Sequence, residues 1–307
     1  MAWRRLPCYL PGMPDLPKSA TLPGLDWPRL PASRPLVMGI VNVTADSFSG
    51  DGLAGKPDAA IAQARAMVAA GADMLDLGAE STRPGAEPVD SATEQARLLP
   101  VLQGLHDIGV PISVDTRYAA TMRAVLAAGA HIINDISALE DDPDSLAAVA
   151  EAGCPVVLMH KQGQPATMQQ DPRYGDVVAE VLGYLLRRVD ICVAAGIRRD
   201  NIILDPGIGF GKTVAHNVAL LRAIPRFTAL GLPLLIGLSR KSLLGALAEA
   251  PDPAHRLGAS LAGALFAASR GAQILRVHDV ADTVQALKVW RALDFQALDF
   301  QAPGDMA

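Results

Sequence analysis

The chain has 307 residues, half of them hydrophobic and 19% charged, with a formal net charge of −5. This supplies a large buried core, accommodates one barrel of about 250 residues with extensions or two average domains, and argues against a nucleic-acid binder with a broadly basic face. Cys8, Cys154 and Cys192 are odd in number and widely spaced, the pattern of reduced thiols in a cytoplasmic protein rather than of a disulfide framework.

Residues 1–35 carry eight prolines and little periodicity, so an extended N-terminal arm is expected there. Prolines at 7, 11, 14 and 17 interrupt any signal-peptide apolar region. From Leu36 a different pattern begins and then recurs. A first apolar strand, "PLVMGIVN", ends at Asn42 and is followed by the polar loop "TADSFSGDGLAGKP" and a helix over 58–70. "VAAGADMLDLG" closes that helix on Gly and starts a second strand; the loop "AESTRPGAEPVD" and a helix over 91–105 follow. "PISVDT", "LAAGAHIIND", "EAGCPVVLMH", "AAGIRRDNIILD", "PLLIGLSR" and "SRGAQILRVHD" supply six more strands. Helices are expected near 117–128, 143–152, 176–195, 214–224, 254–270 and 280–292. Gly at each helix end of the repeat provides the left-handed turn that stops it.

Most of these strands are continuous apolar runs, as parallel strands covered on both faces must be. Eight strand–helix units predict a (β/α)8 barrel over 36–292, with a C-terminal tail over 293–307 that repeats "ALDFQ". An open doubly wound sheet is the alternative, but it comes with no second domain and no dinucleotide fingerprint. The longest apolar stretch, "LGASLAGALFAAS", is shorter than the ~20 residues a membrane span requires.

In a barrel, the strand C-termini converge on one mouth. They carry Asn42, Asp76 (with Glu80 just beyond), Asp115, Asn134, His160, Asp205, Ser239–Arg240–Lys241, and Arg276 with His278. A single Asp or Asn at such a junction reads as a helix cap; a polar residue at every strand end reads as a site. The stretch "IILDPGIGFGKT" imitates a phosphate-binding P-loop, but that loop needs Gly six positions before its Lys, and Pro206 stands there without an N–H. Nucleophile elbows, zinc-ligand spacings and Cys–His pairs are also missing. What remains mixes carboxylates and an amide (Asp115, Asp205, Asn134) with cations (Lys241, Arg276, His278). It suits a ligand with a hydrogen-bond-donating heterocycle at one end and an anion at the other. The two polar loops have the length of lids that close over substrate.

"MGIVNVTADSFSGDG", "LGAESTRPGAEPV", "ISVDT", "HIINDI", "LDPGIGFGK", "GLSRKS" and "RVHDV", in this order from about residue 36 to 292, resemble the dihydropteroate synthase family. The resemblance implies condensation of 6-hydroxymethyl-7,8-dihydropterin diphosphate with 4-aminobenzoate, assisted by Mg2+. It places Asp115, Asn134, Asp205 and Lys241 on the pterin, with Asp115, Asp205 and Lys241 in the catalytic role. Asn42 would bind Mg2+ and, with Arg276 and His278, the diphosphate. Thr82, Arg83, Pro84, Phe210 and Ser239 would shape the aminobenzoate site, and the glycines around Phe210 would let backbone pass close to the substrates. Family resemblance also implies a homodimer using the 254–270 helix, whose Gly258, Ser260, Ala262, Gly263 and Ala267 permit close contact. Departures from the family pattern are small: Ala45 for Pro, Ala79 for Gly and Lys161 for Met. A corrinoid-dependent methyltransferase on a related barrel would share the pterin carboxylates but not the cations of "SRKS" and "RVHDV". A silent pterin-binding scaffold would be expected to lose those cations.

Overall fold

The computed structural model describes residues 34–43, 57–79, 89–163 and 167–293. The Pro-rich arm, the tail, most of the first polar loop with Ala45, and the Glu80, Thr82, Arg83 and Pro84 region of the second lie outside the described residues.

Strand and helix alternate along the chain: β1 (Leu36–Asn42), α1 (Pro57–Ala69), β2 (Met74–Gly78), α2 (Ser91–Gly104), β3 (Ile112–Asp115), α3 (Ala119–Ala127), β4 (Ile132–Asp135), α4 (Ser145–Ala152) and β5 (Val156–Met159). The second half runs α5 (Val177–Ala194), β6 (Ile202–Asp205), α6 (Val214–Arg222), α7 (Ile224–Thr228), β7 (Leu235–Gly237), α8 (Ser242–Leu247), α9 (Leu257–Ser269), β8 (Ile274–Val277) and α10 (Val280–Leu293). All strand pairings are parallel, in the order β6-β5-β4-β3-β2-β1-β8-β7. The ring closes where Leu204 bridges Leu234 and the Leu204 N–H donates to the Pro233 carbonyl at 2.8 Å. This is the (β/α)8 barrel. The short helices α7 and α8 are additions to the expected eight. The glycines that end the helices of the repeat (Gly71, Gly129, Gly153, Gly196 and Gly271) all have positive φ.

Side chains alternate between the two faces of each strand. Outward residues join the helices in one core that includes Val37, Val41, Leu75, Leu77, Ile133, Val156, Leu158, Ile202 and Leu204. Inward residues form a second, separate cluster of Leu36, Met38, Met74, Ile132, Val157, Ile203, Leu235 and Ile274. That cluster is an apolar floor across the barrel, and the site is built directly above it. Among the described residues, no helix is long and apolar enough to cross a membrane.

Candidate active site

Two residues beyond four of the floor positions the next inward side chain changes character. Met74 gives way to Asp76, Ile132 to Asn134, Ile203 to Asp205 and Ile274 to Arg276. Asp115 occupies the corresponding place on β3, above Ser113. Across β1 to β4, Asn42, Gly78, Asp115 and Asn134 are successive register partners. Gly237 on β7 faces Arg276 without a side chain of its own, and Arg276 and Lys241 lie beside it. The barrel interior is therefore dry below and charged above.

The charges are arranged in pairs. Arg276 donates from Nε to Asp76 Oδ2 at 2.6 Å and from its terminal nitrogen to Asp115 Oδ2 at 3.1 Å. Asn134 Nδ2 also donates to Asp76 Oδ2, at 3.1 Å. Asp205 Oδ1 accepts from the Gly207 N–H at 2.7 Å. Burial pushes the Asp115 carboxyl up to about 8; Arg276 opposes this, and the neighbouring carboxylates of Asp76, Glu94 and Asp135 add to it. Asp205 is raised for the same principal reason, with Lys241 the main opposing charge. Burial likewise lowers Lys241, to about 8, against the pull of Asp205. For Arg276, burial works against the cation, but Asp76 and Asp115 outweigh it and its pKa is raised. Such perturbed groups, clustered at the strand ends of a barrel, mark a candidate functional site.

Lys212, the residue that imitates a P-loop lysine, is buried and turned onto its own protein. Its Nζ lies 3.0 Å from His160 Nδ1 and donates to the carbonyls of His160 (3.2 Å) and Phe210 (2.9 Å). Burial lowers it to about 7 and lowers His160 to about 3. His160, wedged edge-on against Tyr184 at 4.9 Å, is thus a packing element at the β5 end. Gly207 and Gly211, on either side of Phe210, serve this packing. A Cβ on Gly207 would lie 1.9 Å from the His160 carbonyl oxygen, and one on Gly211 would lie 2.3 Å from that of Gln162. The close approach expected here is therefore to the backbone beyond β5. Gly207→Ala is expected to cost more than about 2 kcal/mol, since it adds a backbone clash to the penalty at φ 67. Gly109→Ala, at φ 74 with nothing within 4 Å, should show the conformational penalty alone. Denaturant midpoints of the two variants test the difference.

Around the rim, the Ser239 hydroxyl accepts from the His278 N–H at 3.2 Å and lies 3.1 Å from His278 Nδ1. Lys241 Nζ sits 4.9 Å from the Phe210 ring centroid and donates to the Ile208 carbonyl. Arg240, between Ser239 and Lys241, turns away to pair with Asp279. Its φ of 60 helps send these neighbours in opposite directions. Lys161 pairs with Asp141 at 2.6 Å, tying the ends of two loops. Ala79 is fully buried, and its carbonyl accepts from Arg97. The structure thus bonds Arg276 directly to Asp115, links Asn134 to Arg276 through Asp76, joins Asp205 and Lys241 electrostatically, and pairs Ser239 with His278. Sequence reasoning placed Asp76 at a strand end without giving it a task, yet it is the hub of this network. A carboxylate two positions after an inward Met in an apolar strand was the available signal.

A family model described as pterin binding enzyme matches residues 38–278. The dihydropteroate synthase of Escherichia coli (strain K12) is 48% identical over 264 residues, which is 86% of this chain and 93% of that protein. Among solved structures, Xanthomonas albilineans dihydropteroate synthase with 4-aminobenzoic acid superposes with a TM-score of 0.81 at 48% identity, covering 88% of this chain and 95% of that one. Dihydropteroate synthase from the same organism in complex with 7,8-dihydropteroate gives 0.78 at 46% identity, covering 86% and 95%.

Proposed function

The chain belongs to the pterin-binding enzymes, among the dihydropteroate synthases, and on that membership we propose which of its residues carry the reaction. The reaction condenses 6-hydroxymethyl-7,8-dihydropterin diphosphate with 4-aminobenzoate. The amine nitrogen bonds to the exocyclic methylene, the C–O bond to diphosphate breaks with its electrons leaving on diphosphate, and the new secondary amine sheds a proton.

In our reading the pterin lies on the apolar floor, its donor edge facing Asp115, Asn134 and Asp205. That Asp115 and Asn134 are register partners, and that Asn134 and Asp205 each follow an apolar floor residue by two positions, is the observation that carries this assignment. Lys241, between Asp205 and the Phe210 ring, holds the pterin from the β7 side. As the C–O bond breaks, positive charge spreads from the methylene into the ring, where Asp115 and Asp205 favour it. Aromatic amines are neutral at physiological pH, so no strong base or protein nucleophile is required.

At the rim, Arg276 and His278 bind the departing diphosphate, with His278 steadied by Ser239. Asn42, partly exposed at the end of β1, presents an amide oxygen for Mg2+. Among the described residues, no group of three His, Cys, Asp or Glu could hold a metal ion. A single protein oxygen fits Mg2+, which keeps its waters and takes other ligands from substrate phosphates. Bound there, Mg2+ supplies neutralisation of the diphosphate charge. Phe210 and Ser239, with Thr82, Arg83 and Pro84 of the second loop, form the aminobenzoate side. Diphosphate release by purified protein should require both substrates and stop when Mg2+ is chelated. Release undiminished by chelation would remove Asn42 from the metal role.

We also propose a homodimer, built on α9. Ser260, Gly263 and Ala267 face the barrel and serve internal packing, whereas Gly258 and Ala262 are exposed. Leu257 and Phe266 lie on the exposed side of the same helix, with exposed Leu247 on α8 and Val289 on α10. Sedimentation at micromolar concentration should give twice the chain mass; a monomer would end this reading. A cytoplasmic setting fits Cys154 and Cys192, both buried free thiols.

A further inference from the structure

We propose that Asp76 is a positioning residue that fixes which end of the Asn134 amide faces the pterin. The inference rests on the assignment of Asn134 to the pterin pocket and extends it to a residue that need not touch the ligand. Asp76 is fully buried on β2. Its Oδ2 accepts from Asn134 Nδ2 and from Arg276 Nε, and Arg276 supplies the counter-charge. Asn134 by itself could present either its carbonyl oxygen or its amino group to the pocket, since the two are isosteric.

Arg276 already donates to Asp76 Oδ2, and an oxygen held as acceptor there commits the Asn134 amino group to itself. Asn134 Oδ1, to which no described residue donates, is then left as a fixed acceptor. The reversed amide would set oxygen against carboxylate and turn a donor toward the ligand. Asp76 thereby selects a heterocycle that offers N–H donors at this level and rejects one that offers lone pairs. Asp76 Oδ1 is buried and has no partner among the described residues.

Titration of 6-hydroxymethyl-7,8-dihydropterin diphosphate into wild type, Asp76→Asn, Asn134→Asp and the double exchange tests the assignment. Asp76→Asn should weaken binding by about tenfold or more, because the amide at 76 no longer dictates the polarity at 134. Asn134→Asp should weaken it too, by setting two carboxylates together. In the double exchange, the new amide donates to the new carboxylate and an acceptor again faces the pocket. Affinity should then return to within about threefold of wild type, a recovery that a purely structural role for Asp76 would not produce. A double exchange as weak as the two single changes combined would overturn the inference. Should Asp76→Asn fail to fold, recovery in the double exchange decides alone. Asn134→Ala separates the underlying reading: wild-type affinity there would remove Asn134 from the pocket, whereas weakened Asn134→Ala beside an unaffected Asp76→Asn would refute only the role of Asp76.

Discussion

Asp115→Asn is expected to weaken pterin diphosphate binding by about tenfold to a hundredfold, the worth of one charge-assisted hydrogen bond, while making the ligand-free protein more stable. The two effects share one cause. Burial holds the Asp115 carboxyl at about 8 in the folded protein against an ordinary value of 3.8. Below pH 3.8 the proton is bound in folded and unfolded chains alike, and Asp115 carries no penalty. As pH rises from 3.8 toward 8 the unfolded chain releases its proton and the folded chain does not, so stability falls across that window and levels off above it. Asn has no proton to lose. The melting temperature of Asp115→Asn relative to wild type should therefore climb between pH 5 and pH 8; a difference independent of pH would contradict the burial account. Binding should also expel a proton at pH 7, because the donor edge and growing positive charge of the pterin favour the carboxylate. Calorimetry in two buffers of different ionisation enthalpy measures that release.

Arg276→Ala should lose both binding and stability. Its guanidinium is the shared partner of Asp76, which is completely buried, and of Asp115. Removing one member of a buried pair strands charge in the interior, at a cost of about 3 kcal/mol. Asp115→Asn added to Arg276→Ala should restore part of that stability, since the buried carboxyl at 115, which must take up a proton on folding, is gone. Urea unfolding of the two single variants and the double one reads this coupling; simple additivity would mean the three side chains act independently. Pterin diphosphate affinity should fall more than a hundredfold in Arg276→Ala, because the anion loses its cation and the pterin loses the order of Asp76 and Asp115.

The repeated helix–Gly–strand pattern made the barrel legible, because each unit encodes its own stop signal and apolar strand locally. It also made Asp115, Asn134, Asp205 and Arg276 legible as a group, since the fold brings all strand ends to one mouth. What stayed hidden were partnerships between distant residues. Asp76 and Arg276 bond across 200 positions, and no spacing rule predicts that an inward carboxylate on β2 meets an arginine on β8. Lys212 has a motif-like setting, yet it points into its own backbone because His160 and Phe210 offer it carbonyls there. Gly207 and Gly211 of that loop make room for the chain beyond β5, a partnership the motif did not reveal, while Gly209 lies against Lys241. The small residues of α9 divide: Ser260 and Gly263 pack inward on Arg240, Leu238 and Leu244, whereas Gly258 and Ala262 lie exposed.

A crystal structure of the protein with 7,8-dihydropteroate tests the central assignment most directly. The pterin should rest on Met38, Met74, Ile132 and Ile203, with its donor edge on Asp115, Asn134 and Asp205, and with the aminobenzoate end leaving past Phe210 and Ser239. A pterin seated away from that floor, or one whose donor edge touches none of the three, would contradict the account.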